Sequence, residues 1–597
     1  MDFSNKISDL EKNHLLRSRR VVKSAQGTRM QIDNQDIINF CSNDYLSLAN
    51  HPKIKEALIT GVEKYGVGSG ASHLVSGHSK SHKILEEALS EFTGQENALL
   101  FSSGYSANLG VFSALRDEIK WVIQDKLNHA SLIDGSAIIG LPIQRYLHKN
   151  LESLNSKLKK QTGPGLVVTD NVFSMDGDQA DISGINKVLD KTDTILMQDD
   201  AHGFGIFNPL IPKNSIYMAT LGKAAGVMGA FVAGNNDFIE FLIQKSRPYT
   251  YTTAIPPSLC QAILMSLEII KNGEQKEKLL NNIEFFKTVS NQLGLNFEDS
   301  NSAIQPLIVG SSLRALEISN SLFDSGFFVS AIRPPTVLPN TARLRFTLSA
   351  NHQSNEIELL LEKVKNAMAY TIGEGPDLVL LHGWAFNSDI FQSLVNKYKH
   401  KYRITVIDLP GHGRSSDIDG DIESWCSEII KLIPQKSILL GWSLGGLLST
   451  YIASKIKVNE LILVASSPCL VMHKNWSFGI ESKAFELFVN NLRNDSTQAL
   501  KRFVSLQSKD KSQIQELHQS IQKYPASQCA LDIGLQIILN SDLSNTYQKI
   551  STPKRCFLGS LDTLVPVKIQ DWYDEAGSKT IVLRSGHLPF LNSDFKI

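Results

Sequence analysis

The sequence predicts an α/β protein with two successive, mainly parallel sheets, and three observations predict it. From about residue 98, short apolar runs alternate with polar helical stretches, as in ALLFSSG, KWVIQDK, GLVVTDNVFSMDG and TILMQDDAHG. That alternation is the pattern of strand–helix repeats around a parallel sheet. The rhythm restarts after residue 376 with LVLLHGW, RITVIDLPGHGRS, ILLGWSLGG, LILVASSP, KRCFLGSLD and TIVLRSGH. Between the two series, NEIELLLEKVKNAMAY carries apolar residues at helical spacing and stops at Tyr370, where TIGEGP follows with its glycine and proline punctuation. The expected organisation is a first domain over 1–369, a link over 370–376 and a second domain over 377–597.

Each element follows in order. The start, MDFSNKISDLEKNHLLRSRR, is charged and helical in pattern, without the apolar centre of a signal peptide. After the first strand series, residues 260–294 are helical, and AIQPLIVG, FFVSAIRPP and ARLRFTLS return to strands, which makes a small α+β portion at the end of the first domain. In the second domain, about 469–545 holds helical patterns without convincing strands, as a helical lid insertion would. A chain of 597 residues exceeds what one hydrophobic core supports. Lys+Arg equals Asp+Glu at 60 each, so neither nucleic acid nor an anionic membrane is expected as a partner. No apolar stretch approaches the ~20 residues that span a bilayer. The six cysteines (Cys41, Cys260, Cys426, Cys469, Cys529, Cys556) form no C-x-x-C pair. That argues against a disulfide framework or a zinc site and for a reducing, cytoplasmic setting.

In TILMQDDAHG, Asp199 and His202 follow a buried apolar run, at the carboxyl end of a strand where open α/β sheets place ligands. In TLGKAAG, Lys223 is flanked by small residues that let a planar ligand approach the backbone. Such a lysine forms a Schiff base with an aldehyde cofactor, and a carboxylate then keeps a pyridine nitrogen protonated. SSGYSAN at 102–108 offers a glycine turn and backbone N–H groups for a phosphate. Taken singly, a lysine after a glycine is a surface residue and Asp-x-x-His a turn; their order along the chain carries the reading.

The stretches NFCSNDYLSLANHP, FSSGYSAN, LNHASLIDG, VFSMDGD, DDAHGFG and TLGKAAG make residues 1 to about 369 resemble the α-oxoamine synthases, pyridoxal-phosphate-dependent transferases of fold type I. SAIQPLIVG, AIRPPTV and TARLRFTLSANH are most similar to the 8-amino-7-oxononanoate synthase branch. The resemblance implies condensation of L-alanine with a pimeloyl thioester, with loss of carbon dioxide, as a step towards biotin. By position it implies that Lys223 holds pyridoxal 5'-phosphate and returns as the proton-transferring base. Asp199 faces the pyridine nitrogen, His202 the ring hydroxyl, and His129 stacks on the ring. Gly104, Tyr105, Ser174 and Thr220 surround the cofactor and its phosphate. Arg345 takes the amino acid carboxylate, a task suited to a bidentate guanidinium. Arg17, Asn43 and Thr336 fall at substrate-side positions. One departure is His73 in GSGASHLVSG, where many relatives have arginine.

GWSLG at 441–445 fits G-x-S-x-G, the turn that lifts a serine from a strand onto a helix start. Asp562 in GSLDTLVP and His587 in SGHLPF follow it in the order Ser, Asp, His that an α/β-hydrolase requires. Histidine would take the Ser443 proton and aspartate would fix the histidine tautomer. LLHGW lies where the first oxyanion-hole loop belongs, so the N–H groups of Trp384 and Leu444 are the candidate donors. His382 is expected to shape that loop and DLPGHGRS to be a structural turn. HGW, GWSLGG, VASSPC and RFVSLQ together resemble the pimeloyl-acyl-carrier-protein methyl ester esterases. The resemblance implies hydrolysis of the methyl ester on a pimeloyl chain tethered to acyl carrier protein. Phe503 and Gln507 would line the acyl path and Arg502 would meet the acidic carrier; Gln498 stands where a further basic residue would be expected.

Together the resemblances imply a bifunctional enzyme, homodimeric through its first domain, performing consecutive steps. Two other readings stay open: a different α-oxoamine synthase using glycine or serine with a coenzyme A thioester, joined to a general esterase, or to an inactive hydrolase-like module that binds carrier protein. The sequence also leaves open whether carrier protein or coenzyme A is the acyl handle.

Overall fold

The computed structural model describes residues 3–597 except 191, 209, 369, 414 and 416. It comprises two compact units: residues 1–289 with 297–361, and residues 362–597 with 290–296.

In the first unit seven strands form one sheet, in the spatial order Asn97–Phe101, Ala230–Gly234, Ser215–Thr220, Thr194–Asp199, Gly165–Asp170, Trp121–Asp125, Ile143–Tyr146. Ala230–Gly234 runs antiparallel to both neighbours and every other pair is parallel. Gly165–Asp170 and Trp121–Asp125 are buried at every position. A strand covered on both faces reads as a continuous apolar run, which is why these were visible in the sequence. Ile143–Tyr146 was not, because it is an edge strand in which only Tyr146 is buried. Asp170 and Asp199 end adjacent strands as register partners, so two carboxylates share the carboxyl edge of the sheet.

The smaller α+β portion holds an antiparallel sheet of Ile304–Gly310, Ala342–Thr347 and Ser330–Ile332. A second small sheet joins Arg29–Ile32, Gln35–Asn39 and Phe327–Phe328. The expected helical stretch 260–294 is two helices, Pro257–Asn272 and Glu274–Gln292, parted at Gly273, whose φ of 78° is left-handed.

The second unit holds another seven-stranded sheet, ordered Tyr370–Ile372, Arg403–Ile407, Asp377–Leu381, Ile438–Trp442, Glu460–Val464, Lys554–Gly559, Ser578–Leu583. All pairs are parallel except the first. Tyr370–Ile372 lies within the segment expected as a link; it is an edge strand paired with Arg403–Ile407. Successive side chains of Asp377–Leu381 enter cores on opposite faces, Leu378 and Leu380 on one, Val379 and Leu381 on the other. Between Glu460–Val464 and Lys554–Gly559 come helices Ser482–Asn494, Ser496–Gln507, Lys511–Lys523, Gln528–Asn540 and Ser544–Lys549, the insertion the sequence predicts. Among the described residues no helix is long and apolar enough to cross a membrane.

Candidate active sites

At the carboxyl edge of the first sheet, Lys223 Nζ lies 2.8 Å from His202 Nε2, and His202 Nδ1 lies 2.7 Å from Tyr45 Oη. Tyr45 Oη donates to Asn43 Oδ1 at 3.0 Å. Burial, reinforced by Lys223 and Arg345, pushes His202 well below the usual histidine range, so its ring is neutral. A neutral ring that accepts from the lysine at Nε2 carries its proton on Nδ1 and donates to Tyr45. Burial also lowers Lys223 to about 8, against the opposing pull of Asp199 and Asp170. An amine so placed is available as a nucleophile and base near neutral pH.

Asp199 is buried and held on both oxygens: Asn108 Nδ2 donates to Oδ2 at 2.8 Å and the Ala201 N–H to Oδ1 at 3.0 Å. Asp170 is pushed well above the carboxylate range by burial and then by the Asp199 charge. It accepts the backbone N–H of His129 at 2.7 Å. His129 caps helix Ala130–Ile138, where its Nδ1 accepts the Ser131 N–H at 3.3 Å. Arg345 donates from Nε to the Ser174 carbonyl at 2.6 Å and from both Nη atoms to Asn43 Oδ1 at 3.4 and 3.3 Å.

The structure thus brings Lys223, His202, Tyr45, Asn43, Arg345 and Ser174 into one hydrogen-bonded network. Asp199 and His129 belong to a second one, joined through Asn108 and Ser131, and reach Lys223 by the charges of Asp199 and Asp170. Gly104 opens helix Gly104–Leu115, and a Cβ there would meet Met218 and Thr220 only at an ordinary 3.8 Å. Thr220 Oγ1 accepts the Gly222 N–H at 3.3 Å. Tyr105 is exposed and its hydroxyl donates to Asp134. Arg17 and Thr336 meet each other at 2.8 Å; among the described residues no hydrogen bond links that exposed pair to the lysine network. Tyr45, Asn108 and Asp170 are the residues the sequence did not single out. Tyr45 lay inside the quoted stretch NFCSNDYLSLANHP, but nothing local marks its hydroxyl as a histidine partner.

The second site answers to a different physics. Ser443 sits between strand Ile438–Trp442 and helix Leu444–Lys455 with φ 54° and ψ −119°. A non-glycine residue held there stores about 1–3 kcal/mol of backbone strain, sustained by the surrounding packing. The flanking glycines make the turn possible. A Cβ on Gly445 would lie 2.2 Å from the Leu381 carbonyl oxygen, and one on Gly441 would lie 2.3 Å from that of Gly445. His587 Nδ1 lies 2.8 Å from Asp562 Oδ2, with both side chains buried. Asp562 Oδ1 accepts the N–H groups of Leu564 at 2.8 Å and Val565 at 3.1 Å. Trp442 Nε1 donates to the His587 carbonyl at 2.7 Å, and the His587 N–H donates to that of Gln507 at 3.0 Å. His587 Nε2 is buried with no hydrogen-bond partner among the described residues. With Nδ1–H spent on the aspartate, Nε2 is left as a lone pair, the state a general base needs. No hydrogen bond yet joins it to Ser443 among the described residues.

The HGW loop lies against the serine: a Cβ on Gly383 would approach Ser443 Cβ to 3.1 Å. His382 Nε2 accepts the Leu409 N–H at 2.9 Å, so this buried ring ties the loop to the turn after Arg403–Ile407. In that turn, Gly411 and Gly413 have φ of 65° and 59°; Arg414 is outside the described residues. Leu444 opens its helix, so its N–H has no intrahelical acceptor. The Trp384 indole donates to the Leu531 carbonyl at 2.9 Å, anchoring lid helix Gln528–Asn540. Phe503 faces Trp384, Phe386 and Phe488 with ring centroids 5.0, 6.1 and 5.8 Å apart, forming an apolar cluster. Arg502 is exposed on the same helix, Ser496–Gln507.

Comparison with known proteins matches each unit to a family. Residues 35–364 match the model of the aminotransferase class I and II family, and residues 378–595 that of the α/β-hydrolase family. The chain is 46% identical over 380 residues to the 8-amino-7-oxononanoate synthase of Methylococcus capsulatus, covering 62% of this chain and 98% of the relative. It is 48% identical over 373 residues to that of Ectopseudomonas mendocina, covering 60% and 96%. Among solved structures, serine palmitoyltransferase from S. paucimobilis with bound PLP matches 61% of this chain and 96% of its own, at a TM-score of 0.57 and 26% identity. The buried Asp199, the lowered Lys223 amine and the neutral His202 are a donor set that fits pyridoxal phosphate, which is the cofactor of the first unit. The chain therefore belongs to the aminotransferase class I and II family, among the 8-amino-7-oxononanoate synthases, and carries an α/β-hydrolase domain behind that portion.

Proposed function

We propose that the chain carries out two consecutive reactions: hydrolysis of a pimeloyl-[acyl-carrier protein] methyl ester, and decarboxylative condensation of the freed pimeloyl thioester with L-alanine to 8-amino-7-oxononanoate. The first domain would span 1–369 and the hydrolase 377–597, with the first domain homodimeric. The observation that carries this reading is that one chain holds both a lysine–carboxylate–imidazole centre and a strained serine with a buried Asp–His pair.

In the condensing site Lys223, Asp199, His202, His129, Gly104, Tyr105, Ser174 and Thr220 would hold pyridoxal phosphate. When bound, that group supplies an electron sink for negative charge at the amino acid α-carbon. Arg345, already aimed by Ser174 and Asn43, binds the alanine carboxylate. Lys223 Nζ moves the proton at the α-carbon, and its lowered pKa makes the exchange reversible near neutral pH. Neutral His202 offers Nε2 as an acceptor without adding positive charge. Since the amine must be unprotonated to capture the aldehyde, the rate of pyridoxal phosphate uptake by the unloaded protein should rise with pH and level off above about 8. Absorbance during reconstitution reads this; a rate independent of pH between 6.5 and 9 would contradict it.

In the hydrolase site His587 Nε2 takes the proton of Ser443 Oγ as the oxygen attacks the ester carbonyl. Asp562 stabilises the imidazolium, and the Trp384 and Leu444 N–H groups receive the oxyanion. His587 returns the proton to the leaving methoxide, giving methanol and an acyl-serine. Water, deprotonated by the same nitrogen, then releases the carboxylate. Phe503 and Gln507 border the acyl path, and Arg502 meets the acidic carrier protein. The test supplies pimeloyl-carrier methyl ester and L-alanine to the loaded full chain. Methanol and 8-amino-7-oxononanoate should both appear. Condensation only of glycine or serine with a coenzyme A thioester, without methanol, would overturn the reading.

A further inference from the structure

Outside both sites, three histidines converge where the sequence departs from the resemblance. His73 to Gly77 form a π-helical turn closed by the Gly77 N–H donating to the Ser72 carbonyl at 2.9 Å. Gly77 is required in it, since a Cβ would lie 2.1 Å from the Ala71 carbonyl oxygen. The wide turn sets His73 and His78 side by side, and His82, at the third position of helix Lys80–Thr93, completes a triangle. Ring centroids are 5.3 Å apart for His73–His78, 4.9 Å for His73–His82 and 5.6 Å for His78–His82. One nitrogen from each lies within 4.8 Å of the other two. Zn–N bonds of about 2.0–2.1 Å in a tetrahedral site put ligand nitrogens about 3.4 Å apart and imidazole centroids about 5 Å apart. The centroid spacings of 4.9 to 5.6 Å are close to those dimensions, and the nitrogens, within 4.8 Å of one another, draw together on binding.

We propose that His73, His78 and His82 bind one divalent cation of the zinc class through their Nδ1 atoms, leaving the fourth position open beside the exposed His78 ring. The outer contacts fit that assignment. His82 Nε2 donates to the Ile255 carbonyl at 2.7 Å, which makes Nδ1 its lone-pair atom. That atom now accepts the Ser79 N–H at 3.0 Å and lies 2.9 Å from Ser79 Oγ, contacts the cation displaces. His73 Nδ1 and His78 Nδ1 face each other at 3.0 Å, so one holds a proton between them. Cation binding moves that proton to the Nε2 of the same ring, with no net change in charge. His78 Nε2 lies 3.8 Å from Glu86 Oε2, beyond hydrogen-bond reach, and burial raises Glu86 to about 8. Three imidazoles select a borderline cation such as zinc over calcium or magnesium.

The site bridges the turn to a distant segment: His73 stacks on Tyr249 with centroids 4.8 Å apart, and His82 holds Ile255. Binding there stabilises the folded chain by mass action. The experiment uses the full chain with its cofactor, stripped with a chelator, exposed to zinc and desalted. Elemental analysis should find about one zinc per chain, and the melting temperature should rise with zinc by several degrees. Both responses should be lost in His78→Asn, whose ring is exposed, and in His73→Arg. His473→Asn should retain the metal; it probes the other candidate group, Cys469, His473 and Asp542. The proposal is overturned if the unaltered chain retains no zinc, if His78→Asn and His73→Arg retain as much as it does, or if His473→Asn alone removes it.

Discussion

Lys223→Ala abolishes condensation of alanine with the pimeloyl thioester and leaves ester hydrolysis within twofold of the unaltered chain. Proton transfer by a positioned side chain contributes about 10²–10⁴-fold, and the same amine also anchors the cofactor, so the combined loss exceeds about 10³-fold. The geometry explains why no neighbour substitutes. Lys223 is the amine beside His202, and Arg345, the nearby cation, is committed to Ser174 and Asn43 and stays protonated. Lys223→Arg should therefore fail as well, although it keeps a positive charge and can still donate to His202 Nε2. Chromatography of the amino-ketone product and a coupled methanol assay measure the two activities on one preparation. Residual condensation above a tenth of the original in either variant would remove Lys223 from its assigned role. A parallel loss of methanol release would show that the two centres are not separate.

The strands and the reactive side chains that end them were legible in the sequence, for a reason particular to each. Gly165–Asp170 and Thr194–Asp199 are covered on both faces, so they appear as apolar runs, and Asp199 is where the run stops. GWSLG was legible because its glycines and serine fall within five residues, although the crowding that demands Gly445 comes from the Leu381 carbonyl on a neighbouring strand. What escaped acts over long separations. Tyr45 reaches His202 across 157 positions and Asn108 reaches Asp199 across 91. Neither carries a local signature, because each is an ordinary residue until the sheet brings its partner near. Tyr370–Ile372 escaped for another reason: as an edge strand of three residues it needs no alternation, only a free edge on Arg403–Ile407. The histidine triangle has its three members within ten residues, but its convergence depends on a π-helical turn that no periodicity announces.

Under the proposed function, Ser443→Ala should remove the attacking oxygen and lower hydrolysis of the pimeloyl methyl ester by on the order of 10⁶-fold, the cost seen when a triad nucleophile is lost. Asp562→Asn is the sharper test, because the structure dictates how it fails. Asp562 Oδ1 accepts two backbone N–H groups, from Leu564 and Val565, and Oδ2 faces His587 Nδ1. An asparagine must keep its carbonyl oxygen on those two donors, which turns its NH₂ towards His587. That group donates, so Nδ1 becomes the acceptor and the ring proton moves to Nε2. Nε2 then carries a proton in place of the lone pair a general base needs, and activity falls by about 10⁴-fold while the fold is kept. Fluorophosphonate labelling separates the variants: none with Ser443→Ala, slow with Asp562→Asn. If Asp562→Asn hydrolysed ester at the original rate, the buried Asp–His pair would be a structural contact, and Ser443 would owe its reactivity to some other base.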